Sequence, residues 1–296
     1  MRVREHATFW DGGALGPYEQ LSLASFVAAG LPVELYTYSD ALAVPSGVTV
    51  RDAREVVNEH RMRTFPGNVT HFSNHFRYRL LGARTVVWFD ADLILLDASR
   101  LPDSDHVFGL QQDGLVNTAL LGLPTDSGAV RTLIERSDVP EGTRLRWGRL
   151  GPRLLTEVLD DAGLLGEALP VQHLYPLSED RIWMAFEPTE RAACDVALDG
   201  AAALHLWNQY LKKLGLKDRA PAEGSLLDEL AQRFDVRFDL PPIVAGAARS
   251  ASLEKFGSRA APRSRLVRRL RRFIRGGAVG PVKWGRRSAG RRRMGS

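Results

Sequence analysis

Two aspartates one residue apart, Asp90 and Asp92, form the strongest chemical signal in the sequence. They directly follow the run Thr-Val-Val-Trp-Phe at 85–89, whose apolar character predicts a buried strand. Ligands of open α/β sheets bind at the carboxyl ends of the strands, so both carboxylates are expected where such ligands bind. Two negative charges this close repel unless a cation lies between them, and a hard divalent ion that also binds phosphate oxygens supplies that charge. A solvated loop with two incidental acids is the alternative interpretation.

The elements around this motif alternate between strands and helices. Apolar and β-branched runs predict strands at 7–10, 33–38, 85–89, 107–110, 116–121 and 202–206. Helical spacing of apolar residues predicts helices at 18–29, 71–81, 128–136, 153–162 and 226–234. The first strand, its glycine-containing turn, the helix and the next strand have the βαβ order of a parallel sheet, so we predict an α/β fold.

A strand followed by Asp-x-Asp is shared by two enzyme classes. In the haloacid-dehalogenase-like phosphatases the first Asp is a nucleophile, and in the metal-dependent glycosyltransferases of the GT-A fold the pair holds a cation against a nucleotide-sugar diphosphate. The phosphatase motif normally lies near the N-terminus, with Thr or Val two positions after the second Asp. Here that position is Ile94, and a strand-helix-strand unit precedes the motif. The pattern therefore favours the glycosyltransferase.

A second segment strengthens this interpretation. Residues 71–81, His-Phe-Ser-Asn-His-Phe-Arg-Tyr-Arg-Leu-Leu, resemble the Ser-Asp-x-x-Arg-Tyr segment that precedes the Asp-x-Asp strand in the family 32 glycosyltransferases. This sugar-binding DXD group includes α-1,4-glycosyltransferases and capsular polysaccharide synthesis enzymes. The resemblance extends to Trp-x-Gly at 10–12, Asn-Thr-Ala at 117–119, Gly-Pro at 151–152 and His-Leu-Trp-Asn at 205–208. It implies a GT-A-type nucleotide-sugar-binding fold, with a Rossmann-like mixed sheet flanked by helices.

The resemblance also implies a set of donor-binding residues, namely Trp10, Gly12, Asn74, Arg77, Asp90 and Asn117. Asn74 and Arg77 are three apart and share one side of a helix, where Arg77 can bind a sugar hydroxyl or a diphosphate. In the family the position of Asn74 is an Asp that binds the donor sugar, and Asn keeps the hydrogen bonding without the charge. Trp10 can stack on a nucleobase while Gly12 allows close backbone approach. A core tryptophan and a solvated arginine are the alternatives.

The implied chemistry is retaining transfer of a sugar from a nucleotide-sugar to a glycan or lipid-linked acceptor, with Mn²⁺ or Mg²⁺ as cofactor. Asp90, Asp92 and His205 are the expected metal ligands, because an imidazole joined to carboxylate oxygens suits Mn²⁺. A structural histidine is the alternative for His205. Asp90, Asp92 and Asp113 are the expected catalytic residues, although Asp113 precedes Gly114 and also fits an ordinary turn.

Charge divides the chain into two parts. Residues 1–254 hold all 35 acidic residues and 25 of the 40 basic ones, a net charge of −10, and the other 15 basic residues lie between Lys255 and Arg293. An acidic body argues against general nucleic-acid binding, and no specific nucleic acid is expected as a partner. We predict a GT-A-type domain at 1–245 and an Arg-rich tail at 246–296, partly an amphipathic helix and otherwise disordered.

The tail has the pattern of an interfacial basic helix. Between residues 265 and 275, Leu266, Leu270, Phe273 and Ile274 share one helical stripe surrounded by arginines. This pattern predicts attachment to an anionic membrane surface. The alternatives are a tail without specific function and a tail that binds RNA or DNA.

No long apolar run or signal peptide is evident, and Cys194 is the single cysteine. We therefore expect a cytoplasmic protein at the inner face of the membrane. A catalytically idle sugar-nucleotide-binding protein on the same fold is the functional alternative.

Overall fold

The first half of the described chain contains both strands and helices, and the second half is mainly helical. A computed structural model describes residues 4–146 and 148–257. Its strands are β1 Glu5–Phe9, β2 Val33–Thr37, β3 Val48–Asp52, β4 Val86–Phe89, β5 Leu93–Leu95, β6 Val107–Leu110, β7 Val116–Gly122 and β8 Ala203–His205. Its α-helices are α1 Pro17–Ala28, α2 Glu59–Thr64, α3 Val69–Ala83, α4 Gly128–Ser137, α5 Pro152–Asp161, α6 Val171–Leu174, α7 Arg191–Leu198, α8 Asn208–Lys213, α9 Leu226–Arg233 and α10 Ala247–Phe256.

Six strands form one mixed sheet in the order β3-β2-β1-β4-β7-β6. Strand β1 pairs in parallel with β2 and β4, and β2 pairs in parallel with β3. Strand β7 runs antiparallel to both β4 and β6. The predicted α/β class, a mixed sheet flanked by helices, is confirmed, and the arrangement is consistent with a GT-A-type fold.

Alternating side chains of the central strands pack a helix onto each face of the sheet. On one face Phe9 of β1 stacks on Phe76 of α3, with ring centroids 4.6 Å apart. On the other face Phe89 of β4 stacks on Phe26 of α1 at 4.0 Å. All four rings are buried, so α1 and α3 are fixed on opposite sides of β1 and β4.

A small second ladder joins two distant parts of the chain. Strand β5 pairs antiparallel with β8, which places Leu93 opposite His205. The backbone N–H of Leu206 also donates to the carbonyl oxygen of Asp92 at 2.8 Å. The ladder therefore brings the segment after the Asp-x-Asp motif against the His-Leu-Trp-Asn motif.

The packed body continues past the predicted domain boundary at residue 245. The buried carboxylate of Glu187 accepts the backbone N–H groups of Gly246 at 2.9 Å and Ala248 at 3.1 Å, at the start of α10. Near the other end of α10, Phe256 stacks on Tyr210 with centroids 5.8 Å apart. Residues 246–257 thus belong to the body instead of the predicted tail, and the amphipathic stripe predicted at 265–275 lies outside the described residues.

The helices of the described part are short compared with a membrane span. The longest, α3, has 15 residues, and no helix between residues 4 and 257, leaving out residue 147, is both long and apolar enough to cross a bilayer.

Candidate functional site

Asp90 lies where β4 ends, on the side of the sheet that α3 covers. Its Oδ1 accepts a hydrogen bond from Arg77 Nη2 at 2.5 Å and another from Trp88 Nε1 at 2.7 Å. The Arg77 guanidinium also lies over the Trp88 ring, 4.7 Å from its centroid. Both bonds go to the same carboxylate oxygen, so the orientation of Asp90 is fixed while Oδ2 takes part in neither bond.

Asp92 is held by the motif that the second ladder brings beside it. Its Oδ1 lies 3.2 Å from His205 Nε2, and its Oδ2 accepts the backbone N–H of Asn208 at 2.7 Å. Burial acts to raise the pKa of Asp92, but His205, the Asn208 N–H and the charge of Lys217 together lower it. Asp92 is therefore a buried carboxylate that stays ionised.

Asp90, Asp92 and His205 together form a possible metal site. Each offers one ligand atom, and these atoms lie within 4.8 Å of one another. Two carboxylate oxygens and an imidazole nitrogen are a donor set that first-row divalent cations accept. The three residues therefore fit a divalent metal ion, as the sequence predicted.

The side-chain amide of Asn74 forms two hydrogen bonds within α3. Its Oδ1 accepts from Arg77 Nη1 at 2.7 Å, and its Nδ2 donates to the carbonyl oxygen of Thr70 at 2.8 Å. Gly151 packs against this amide, because a Cβ there would lie 3.2 Å from Asn74 Oδ1. The Gly-Pro motif thus leaves room for Asn74, and Asn74 aims Arg77 at Asp90.

A cavity of about 440 Å³ opens beside the metal-site residues. All residues predicted to bind the donor line it, namely Trp10, Gly12, Asn74, Arg77, Asp90 and Asn117. Gly12 has φ 136°, a value that glycine adopts readily, at the turn after β1. Asn117 is fixed in the opposite wall, where its Nδ2 donates to Gln111 Oε1 at 2.7 Å and its Oδ1 accepts the N–H of Ala119 at 2.7 Å.

The wall of this cavity contains buried polar atoms without protein partners. Among the described residues these are Thr8 Oγ1, His71 Nε2, Arg77 Nε, His205 Nδ1 and Asn208 Oδ1. Unpaired buried polar groups are costly in a folded protein and usually have a functional or solvent partner. Their concentration around one cavity indicates a site for a polar ligand.

Asp113, the third predicted catalytic residue, lies in a turn outside the cavity wall. Its Oδ1 accepts the backbone N–H of Leu115 at 3.0 Å and Gln111 Nε2 at 3.0 Å. Gln111 does line the cavity and bonds to Asn117, so Asp113 reaches the site through Gln111. The geometry matches the turn interpretation of this residue.

Two charged residues that the sequence interpretation missed, Glu19 and Lys217, lie next to the metal-site residues. Glu19 lines the cavity from the first turn of α1, and its carboxylate pairs with Lys217 at 2.6 Å. Glu19 lies on the same side of α1 as the buried residues Leu23 and Phe26, and a charge on that side was the available signal. Lys217 had no such signal, because it lies in none of the motifs or predicted elements of the sequence.

One of the solved structures that resemble this chain is a glycosyltransferase. It is described as "PaToxG Glycosyltransferase", is 10% identical, and matches 55% of this chain and 72% of its own with a TM-score of 0.40. No protein-family model and no curated protein matches the sequence. A likeness with a TM-score of 0.40 supports no conclusion about this chain, so the interpretation of the site rests on its side-chain geometry.

Proposed function

We propose that this protein is a metal-dependent glycosyltransferase that moves a sugar, with retention, from a nucleotide-sugar to a glycan or lipid-linked acceptor. The observation that carries the proposal is the convergence of Asp90, Asp92 and His205 within 4.8 Å of one another in the wall of the cavity. The family 32 resemblance of the sequence supports the same reaction. Mn²⁺ is the proposed ion, with Mg²⁺ as the substitute.

Different residues around the cavity are proposed to bind the ion, the diphosphate and the nucleoside. Asp90, Asp92 and His205 would hold the ion, which when bound neutralises charge on a diphosphate. Arg77 is buried and keeps Asp90 in place, while Lys212 brings a further positive charge to the cavity wall. Trp10 and Gly12 form the part of the wall proposed for the nucleoside. The protein's contribution to transfer is to orient donor and acceptor and to exclude water.

A second candidate is a protein that binds a nucleotide-sugar without transferring the sugar. One observation favours it: Asn74 stands where the family has an Asp, and its amide is engaged by Arg77 and Thr70. The carboxylate that binds the donor sugar in the family is thus replaced here by an amide that forms hydrogen bonds within α3. The two candidates agree on binding and differ only on turnover.

We also propose that the chain attaches to an anionic membrane surface through its basic C-terminal residues. The support is the separation of charge along the sequence, with every residue after Glu254 either neutral or basic. A lipid-linked acceptor would then be presented at the same surface.

The test is a panel of UDP-, GDP-, CMP- and dTDP-sugars, each with Mn²⁺ and with a chelator. We expect one donor type to raise the melting temperature only with Mn²⁺, because a ligand that binds the native state stabilises it by mass action. Release of free nucleotide from that donor should follow, measured by chromatography. Binding without release would favour the idle protein, and no Mn²⁺-dependent binding of any donor would contradict both candidates.

A further inference from the structure

Glu19 is a buried carboxylate with two tight partners. Its side chain is 1% exposed, and its Oε1 accepts hydrogen bonds from Lys217 Nζ at 2.6 Å and from Asn208 Nδ2 at 2.6 Å. The ammonium group of Lys217 also lies over the ring of Tyr18, 4.7 Å from its centroid. Helix α1 and the segment that follows α8 are thereby joined by one buried ion pair.

This ion pair is linked to Asp92 through a single residue. Asn208 gives its side-chain amide to Glu19 and its backbone N–H to Asp92 Oδ2, the latter at 2.7 Å. Burial lowers the pKa of Lys217, against the opposing effects of Glu19 and Asp92. The charge of Lys217 in turn helps to lower the pKa of Asp92. One buried ammonium therefore interacts with two carboxylates, of which Glu19 is the one it contacts.

We propose that Glu19 is a positioning residue of the metal site. It binds Lys217, so that this ammonium does not pair with Asp92 and Asp92 stays available as a ligand of the ion. The inference rests on the proposed function, because it requires that Asp90, Asp92 and His205 hold a cation. Glu19 lies far from the Asp-x-Asp motif along the chain, so this role could not be predicted from the sequence.

The reason is the cost of an unpaired charge inside a protein. If Glu19 lost its charge, Lys217 would remain buried without the carboxylate that it contacts, and Asp92 is another carboxylate whose charge acts on it. A direct pair between Lys217 and Asp92 would consume the negative charge that a divalent cation needs from this carboxylate. Loss of Glu19 should therefore weaken the cation even where the fold persists, and loss of Lys217 as well should relieve the competition.

The experiment compares variants of the full chain by titration calorimetry with Mn²⁺, with the melting temperature measured for each. Glu19→Gln removes the charge at nearly constant size, and the double variant Glu19→Gln/Lys217→Met removes both charges. Glu34→Gln is the matched control, since Glu34 is also buried and paired, with Arg51 and Arg84, but lies on β2 outside the cavity wall.

We expect Glu19→Gln to weaken Mn²⁺ binding at least tenfold and the double variant to return to within about threefold of wild type. Glu34→Gln should lower the melting temperature without changing Mn²⁺ affinity. Recovery in the double variant is not expected from a residue that only supports packing.

Several outcomes would overturn the role of Glu19: unchanged affinity in Glu19→Gln, an equal loss in Glu34→Gln, or no recovery in the double variant. If Glu19→Gln does not fold, Lys217→Met decides, because it should bind Mn²⁺ at least as tightly as wild type and a tenfold loss would refute the competition. Absence of Mn²⁺ binding by the wild-type protein would overturn the proposed function together with this inference, whereas normal wild-type binding isolates the failure to Glu19.

Discussion

Asp90 and Asp92 are two residues apart but have different environments. Asp90 is paired with Arg77 and Trp88 on a single oxygen, and its side chain is 26% exposed. Asp92 is more buried and lies between His205 and the backbone N–H of Asn208. The charge of Asp90 is therefore compensated by a guanidinium that contacts it, whereas Asp92 contacts an imidazole and a backbone N–H, and the charge of Lys217 also acts on it.

This difference predicts the effect of removing the charge of Asp92. Asp92→Asn keeps the size of the side chain, and we expect it to weaken Mn²⁺ binding at least tenfold, about 1.4 kcal/mol. Calorimetry with Mn²⁺ is the measurement, and Asp113→Asn is the control because its carboxylate closes a turn outside the cavity wall. Equal losses of Mn²⁺ affinity in both variants would contradict the separate roles given to these two aspartates.

The site residues that could be predicted from sequence are those that local pattern marks. Asp90 and Asp92 follow an apolar strand, and His205 lies in a motif of recognisable order, so their meeting was predictable. Glu19 and Lys217 are 198 positions apart and meet only because α1 packs against the segment that follows α8. Asn74 was predicted to bind the donor, but its hydrogen bonds within α3 are visible only once Arg77 and Thr70 are placed.

At the scale of elements, α3 serves both the cavity and the core. Its Arg77 side meets Asp90, and its His75 side packs against α4, where His75 Nδ1 lies 3.0 Å from Ser137 Oγ. The His75 ring also stacks on Phe65 at 5.2 Å. Loosening this packing would disturb the helix that positions Arg77.

Acid should weaken this contact between helices. Burial lowers the pKa of His75 from 6.5 to about 4, with Asp138 opposing and Arg61 and Arg79 adding to the shift. The unfolded chain then binds more protons between pH 6.5 and pH 4, so stability is present above pH 6.5 and falls as the pH drops through this window. From pH 7 to pH 5 we expect His75 to account for a loss of about 2 kcal/mol.

Urea unfolding at both pH values measures this effect in wild type and in His75→Phe. The variant should lose less stability on acidification than wild type by that amount. His60→Phe is the control, because His60 is exposed on α2. A pH dependence in His75→Phe equal to that of wild type would show that the ring is not the group responsible.

The elements themselves were predictable where apolar pattern and length agree. Strands β2, β4, β6 and β7 and the helices α1, α3, α4, α5 and α9 lie within about two residues of their predicted bounds. Strand β3 was missed because it is an edge strand whose side chains are partly or fully exposed. Strand β5 was missed because it is only three residues long and its partner lies about 110 residues away.

At the scale of the whole chain, the last helix of the packed body ends close to the position in the sequence where acidic residues stop and basic residues predominate. Helix α10 ends at Phe256, and Glu254 is the last acidic residue. Composition suggested a boundary at 245, because Ala, Gly and Ser become frequent there, but Glu187 binds the start of α10 and Ala248 is buried. Tertiary contacts therefore move the boundary by about one short helix.

This boundary decides how the proposed membrane attachment should be tested. A chain that ends before α10 would leave the buried carboxylate of Glu187 without its two N–H partners, so loss of membrane binding could reflect unfolding. A chain that ends at Gly257 keeps α10 and removes all but one of the 15 basic residues that follow Glu254. It is the appropriate truncation.

We expect the chain of residues 1–257 to keep the melting temperature and Mn²⁺ affinity of the full protein but to lose co-sedimentation with anionic vesicles. Each basic residue near an anionic surface contributes about 1 kcal/mol, and salt screens this attraction, so full-length binding should weaken as ionic strength rises. The body, with its net charge of −10 through residue 254, is repelled by the same surface. Equal binding of the full chain to neutral and anionic vesicles, or undiminished binding by residues 1–257, would show that attachment does not depend on the basic residues.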